Sequence, residues 1–146
     1  MADSRQYCTF FVDGHYCGLD VRRVQEIIRY QEMTRVPLAP PVVRGLINLR
    51  GQIVTAIDLR RRLELSDRPD GELPVNVVVQ TDDGALSLLV DEIGDVLDVD
   101  EKCFERPPDT LKAPARELIR GAYKLADRLL LLLDTDALVN LPESPR

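Results

Sequence analysis

The segment Arg44–Asp58 recurs 76 residues later as Arg120–Asp134, with Arg, Gly, Leu49/Leu125 and Asp in matching places and apolar residues aligned between them. A second echo lies upstream, where Asp13-Gly14 returns as Asp83-Gly84 at an offset of 70. Offsets this close imply two copies of one unit of about 70 residues, spanning 7–66 and 75–141 of a single domain over 7–141. A unit that small is marginal alone, so the copies are expected to pack on each other. Closing each copy into a small barrel would remove its exposed strand edges. The expectation is a mainly β fold of two small barrels side by side, with a groove between them.

Local patterns fill in the unit. Cys8, Phe10 and Val12 alternate on one face of a strand, and Asp13-Gly14 is a tight hairpin turn because both positions tolerate positive φ. The return strand His15–Leu19 sets Phe10 opposite Cys17 and Cys8 opposite Leu19. That offset is a poor disulfide geometry, so both cysteines read as small core residues. A short turn from Asp20 passes into a strand at 25–29, and Pro37, Pro40 and Pro41 punctuate the next connection. Val43–Arg50, a turn at Gly51-Gln52 and Ile53–Leu59 form a second hairpin. The stretch Leu63–Pro74 reads as an exposed acidic, Pro/Gly-containing link.

The second copy repeats this course. Val75–Thr81 and Ala85–Val90 flank a turn at Asp82-Asp83-Gly84, with a strand edge beyond Asp91. Pro107, Pro108 and Pro114 precede a short helix at Ala115–Ile119. A last hairpin, Gly121–Leu125 with Arg128–Leu133, ends in a short helix over Thr135–Asn140.

Charge and composition exclude several classes. The chain carries 19 Lys+Arg and 25 Asp+Glu, a net −6, which argues against general nucleic-acid binding. A small-barrel nucleic-acid module is kept as a distant alternative. The total hides a split, +4 over residues 1–62 and −10 over 63–146, which suggests two electrostatically unlike ends. The longest apolar run, Leu129–Leu133, is five residues, against roughly 20 for a spanning helix. No leader pattern opens the chain and the three cysteines form no C-x-x-C motif. These features point to a cytoplasmic protein with no membrane insertion and thiols kept reduced.

Chemistry is sparse. The single histidine, His15, follows a tight turn, and no metal set can be assembled around it. The acidic run Asp95–Glu101 lacks the glycine and closing Glu of a calcium loop. Neither a phosphate-cradling glycine motif nor a nucleophile elbow is present. Arg60-Arg61-Arg62 reads as a solvated end or a patch for an acidic protein partner. Neither a catalytic group nor a cofactor is called for, and binding is what remains. Arg50 stands at a hairpin tip, as an ordinary turn residue or as a contact. Val24, Ile27 and Ile28 beside Glu26 read as core or as interface.

Two blocks carry a resemblance. Gly18-Leu19-Asp20-Val21 with Val24-Gln25-Glu26-Ile27, and Arg44-Gly-Leu-Ile-Asn-Leu-Arg-Gly51 with Ile57-Asp58-Leu59-Arg60, resemble the CheW chemotaxis coupling family. Asp91, Val96-Leu97 and the Gly121–Leu132 block are similar to its later segments. The resemblance implies two SH3-like five-stranded barrels and a non-enzymatic adaptor. It implies as partners the cytoplasmic tip of methyl-accepting chemoreceptors and the regulatory domain of the histidine kinase CheA, with recruitment to membrane receptor arrays. Receptor contacts would fall on Val24, Glu26, Arg50 and Val96, where Arg50 would meet a receptor carboxylate or carbonyl. Kinase contacts would fall near Phe104 and Glu105. Swimming, surface motility and biofilm-type pathways all use such adaptors.

Overall fold

The structure, a computed structural model, describes residues 4–82, 84–107, 109 and 115–140. Asp83 of the expected third turn, Pro108, Pro114 and the chain past Asn140 lie outside the described residues.

Each expected hairpin forms. β1 (Ser4–Val12) and β2 (His15–Asp20) pair with Phe10 opposite Cys17 and Cys8 opposite Leu19. The Asp13-Gly14 turn has φ of 49° and 79°, the positive pair that such a hairpin needs. Asp20 then accepts the Arg22 amide at 2.9 Å, capping one 3-10 turn at Val21–Arg23 before β3 (Val24–Ile28).

β4 (Val43–Leu49) and β5 (Gln52–Asp58) follow. Their turn is Arg50-Gly51, φ 52° and 88°, one residue earlier than the expected Gly51-Gln52. The Asn48 side chain fixes that placement by accepting the Gly51 amide at 2.8 Å. Asp58 caps the four-residue α1 (Leu59–Arg62).

β6 (Val75–Thr81) and β7 (Gly84–Val90) make the third hairpin, and β8 (Glu92–Asp100) follows with no intervening 3-10 turn. After a 3-10 turn at Glu101–Cys103 come β9 (Phe104–Glu105), α2 (Ala115–Leu118), β10 (Ile119–Lys124), β11 (Leu129–Leu133) and α3 (Thr135–Val139).

The strands do not close copy by copy. One sheet has six strands in the order β8-β1-β2-β11-β10-β9, and the other five in the order β3-β6-β7-β5-β4. The first hairpin thus joins strands of the second sequence copy, and the β6–β7 hairpin joins strands of the first. Parallel pairs β11–β2 and β5–β7 seal the exchange. The chain passes between sheets at Val21–Arg23 and again at Asp91.

The exchange has a packing reason. A shared core draws Phe10, Val12, Cys17 and Leu19 from one sheet and Ile57, Val77, Val79 and Leu88 from the other. Val78 and Leu89 point instead into a cluster inside the five-stranded sheet, with Ile47 and Val54. Leu130 and Leu132 do the same beside Tyr7 and Tyr123 in the six-stranded one. Val77–Val79 and Leu129–Leu133 are apolar without alternation because these strands bury both faces.

Arginines from the supposed surface run hold the sheets together. Arg60 is buried, not solvated. Its guanidinium lies 2.6 Å from Asp91, between β7 and β8, and 3.4 Å from Asp13 in the first hairpin turn. Arg68, inside the supposedly exposed link, reaches Asp91 at 2.9 Å and Asp58 at 3.6 Å with its side chain only 6% exposed. Arg62 donates to the carbonyls of Ala137, Leu138 and Asn140 at 2.9, 3.0 and 3.3 Å, pinning α3. Arg61 is the more exposed member and bonds Asp67 and the Pro41 carbonyl. Most of the triplet is therefore internal clasp rather than docking patch, because Arg60 finds a largely buried acid and Arg62 a row of carbonyls.

Candidate functional site

Glu26 sits in the middle of β3 and Arg50 at the tip of the β4–β5 hairpin. β3 and β4 are opposite ends of the five-stranded order, yet these two side chains meet. Arg50 Nη1 donates to Glu26 Oε1 at 3.1 Å, and Nη2 engages Oε2 in a fork-to-fork pair. A meeting of end strands requires the sheet to curl round upon itself. The Thr34–Leu46 bridge makes the same closure further along, with both amide-to-carbonyl distances at 2.8 Å.

The guanidinium that sequence reasoning aimed at an external carboxylate thus already has one inside the chain. Hydrogen bonding from Arg50 holds the Glu26 carboxyl below the usual carboxylate range. The arginine side chain stays 69% exposed against 22% for Glu26, so the guanidinium is the outward-facing member of the pair at the seam.

Other candidate residues distribute around this seam. Val24 starts β3, packs partly against the shared core and faces Val79, and a register shift separates it from Glu26. Ile27, on the same strand, is 40% exposed, and Ile53, just past the hairpin tip, is 61% exposed. Ile53 was missed by sequence reasoning. Its signal was the strand pattern, since Val54 and Ala56 point inward and leave an isoleucine on the outward side.

Val96 is not brought to this seam by the topology. It lies on β8, the edge of the other sheet, opposite Cys8 and more than half exposed. Phe104 and Glu105 form the opposite edge, β9, paired with Tyr123 and Ala122. Both are exposed.

Reactive chemistry is not assembled among the described residues. No group of three His, Cys, Asp or Glu is placed to hold a metal. Burial and then nearby Asp91 push the Cys17 thiol up to about 12, and burial with Asp20 raises Cys8. The Cys17 thiol donates to the His15 backbone carbonyl at 3.7 Å. Cys103 is exposed. No helix is long and apolar enough to cross a membrane. A concavity of about 960 Å³ runs between segments 30–44 and 67–74, with exposed Leu38 and Leu73 on its walls.

A curled five-stranded sheet and a six-stranded sheet share one core, with an ion-paired seam and exposed apolar residues beside it, which defines a two-sheet β scaffold without an assembled reactive centre among the described residues. The family model described as CheW-like domain matches residues 6–143, and the chain belongs to that family. The chemotaxis protein CheW of Bacillus subtilis (strain 168) is 32% identical over 135 residues, covering 92% of this chain and 86% of its own. Chemotaxis protein CheW of Klebsiella aerogenes is 30% identical, with 95% and 84% covered, and that of Treponema pallidum 29%, with 94% and 84%. The crystal structure of the scaffolding protein TtCheW from Thermoanaerobacter tengcongensis superposes with a TM-score of 0.83 at 26% identity, covering 94% of this chain and 93% of that one.

Proposed function

We propose that this chain is a non-enzymatic adaptor that couples methyl-accepting chemoreceptors to the histidine kinase CheA. It works in the cytoplasm at membrane receptor arrays, with residues 7–141 as the working unit. The observation that carries the reading is the Glu26–Arg50 pair, exposed at the seam with Val24 and Ile27 on the same strand, in a chain of the CheW-like family. A receptor tip made of helices would lay one helix against this seam, apolar side toward Val24, Ile27 and Ile53. The outward guanidinium of Arg50, already oriented by Glu26, would meet a carboxylate or a carbonyl on that helix. Val96 would extend the receptor contact on the second sheet, and Phe104 with Glu105 would face the kinase regulatory domain.

The decisive test is kinase activity with receptor arrays, with and without this protein. Equal activity in both ends the reading. A charge swap, Glu26→Arg with Arg50→Glu, refines it by keeping an ion pair within the seam while reversing its polarity toward a partner. Receptor pull-down lost in the swap, with unchanged melting temperature, is the expected result.

A further inference from the structure

The connection between β3 and β4 carries a leucine that the fold itself does not use. Val36-Pro37-Leu38-Ala39 is a turn in which the Ala39 amide donates to the Val36 carbonyl at 3.4 Å, and Leu38 has φ of 65°. Proline second and positive φ third is the pattern of a type II turn, whose third position belongs to Gly or Asn. Leucine in that position is strained, and its side chain has no polar group to bond the backbone in return. No burial offsets the strain, because Leu38 is 99% exposed. It stands on one wall of the concavity of about 960 Å³, and Leu73, 64% exposed, stands on the other.

The two walls differ in charge. The 30–44 wall brings Arg35 and Arg44 and no acid, whereas the 67–74 wall brings Asp67, Asp70 and Glu72 with Arg68 as its one base. Several of these charges already have partners inside the chain. Arg68 pairs with Asp91, Asp67 with Arg61, and Arg44 lies 3.5 Å from Asp58. Arg35, Asp70 and Glu72 are exposed and enter no ion pair among the described residues. Arg61 ties the walls together by bonding Asp67 on one side and the Pro41 carbonyl on the other. Each wall thus offers one exposed leucine beside unpaired charge of one sign, positive near Leu38 and negative near Leu73. A surface whose two halves complement each other complements itself under a two-fold rotation, which is the geometry of an isologous contact. Leu38 of one copy then meets Leu73 of the other, and Arg35 of one faces Asp70 and Glu72 of the other. Like walls repel, so the charges select this register over its reverse.

We propose that this groove joins two copies of the chain, with Leu38 as the apolar anchor and Arg35 against Asp70 and Glu72 as the pairing that sets orientation. The groove lies at the Val43 end of β4 and the Glu26–Arg50 seam at its other end, roughly 20 Å away at about 3.3 Å per residue. Pairing through the groove therefore leaves both seams open and makes the dimer bivalent. Two short walls make a small contact of the transient class. The test is sedimentation equilibrium of the full chain from about 10 μM to about 1 mM. A monomer–dimer equilibrium is expected, weakened about tenfold or more in Leu38→Asn, in Arg35→Glu, and in Asp70→Arg with Glu72→Arg. Asn suits the positive φ, so the melting temperature of dilute Leu38→Asn should hold or rise while pairing is lost. Mixing the two charge variants restores both contacts of a two-fold pair and should recover the affinity that each lacks alone. A chain that stays monomeric up to about 1 mM, a dimer that survives Leu38→Asn, or a mixture that fails to recover overturns the proposal. Receptor pull-down lost in Leu38→Asn without any dimer in wild type also overturns it and gives the groove to a helical partner.

Discussion

Replacing Asp91 by Asn removes one charge from the point where the two sheets are clasped. The Asp91 carboxylate, 16% exposed, takes Arg60 at 2.6 Å and Arg68 at 2.9 Å and accepts the Asp13 amide at 2.7 Å. Asn keeps the shape but leaves two nearly buried guanidinium groups with Asp13 at 3.4 Å and Asp58 at 3.6 Å as their nearest acids, and with the Ser66 and Asp67 carbonyls on Arg60 at 3.1 and 3.4 Å. Breaking a buried pair from one side costs roughly 3–5 kcal/mol, and the remaining partners put this case near about 3. Against a total stability of about 5–15 kcal/mol that is a large fraction. For a chain this long each kcal/mol moves the midpoint about 2–4 °C, so calorimetry at pH 7 should show a fall of roughly 6–12 °C.

The pH dependence follows from the same contacts. Burial pushes the Asp91 carboxyl up, but hydrogen bonds from Arg60, the Asp13 amide and Arg68 outweigh it and hold it below the ordinary range. Its contribution is therefore full above the unfolded value of about 3.9 and fades as pH falls through the lower folded value. The gap between wild type and variant should narrow on acidification below about pH 4. Midpoints agreeing within about 1 °C at pH 7 would refute the clasp.

Three further outcomes are expected. Arg62→Ala frees three carbonyls at the end of the five-residue α3, a helix too short to stand alone; amides of 135–139 should exchange faster while those of β6 and β7 do not. Equal acceleration everywhere would show global rather than local loosening. In thiol labelling at pH 8 of the folded chain, exposed Cys103 should react at once and Cys8 and Cys17 only after denaturant, so prompt reaction of all three contradicts the packing. Gly45→Ala should lower the melting temperature, because the new methyl meets the Thr34 carbonyl at 2.6 Å. An unchanged temperature would mean that the crossing loop yields freely.

Much of the architecture was legible from short-range chemistry. Asp13-Gly14 fixed a turn and with it a register, and Asp20, Asp58 and Asp134 stood where caps were needed. The exchange of hairpins was not legible, because a repeat reports that two segments are alike and not which strand lies beside which. A clue was present in Val77-Val78-Val79 and Leu129–Leu133. Strands apolar on both faces need cover on two sides, which a small copy closing on itself with one wetted face does not supply. At the seam, β3 and the β4–β5 tip could each be placed from sequence. Their meeting depends on curl across a whole sheet, which no local pattern encodes.

Charge is where the sequence reading changes most. The +4 and −10 halves suggested a molecule with unlike ends, but folding sets the halves against each other. Arg60 closes on Asp91 at 2.6 Å, and Arg23 closes on Asp136 at 2.8 Å. Part of the asymmetry along the chain thus joins the interleaved sheets. Salt separates the two roles. Debye lengths shrink to a few ångströms above about 0.5 M, which screens exposed charges and leaves buried pairs largely intact. Partner binding through outward-facing Arg50 should therefore weaken at that salt, while the melting temperature set by the Asp91 clasp stays nearly constant. If stability falls as steeply as affinity, the clasp is wetter than its burial implies. If neither moves, apolar contacts at Val24, Ile27 and Phe104 carry the binding.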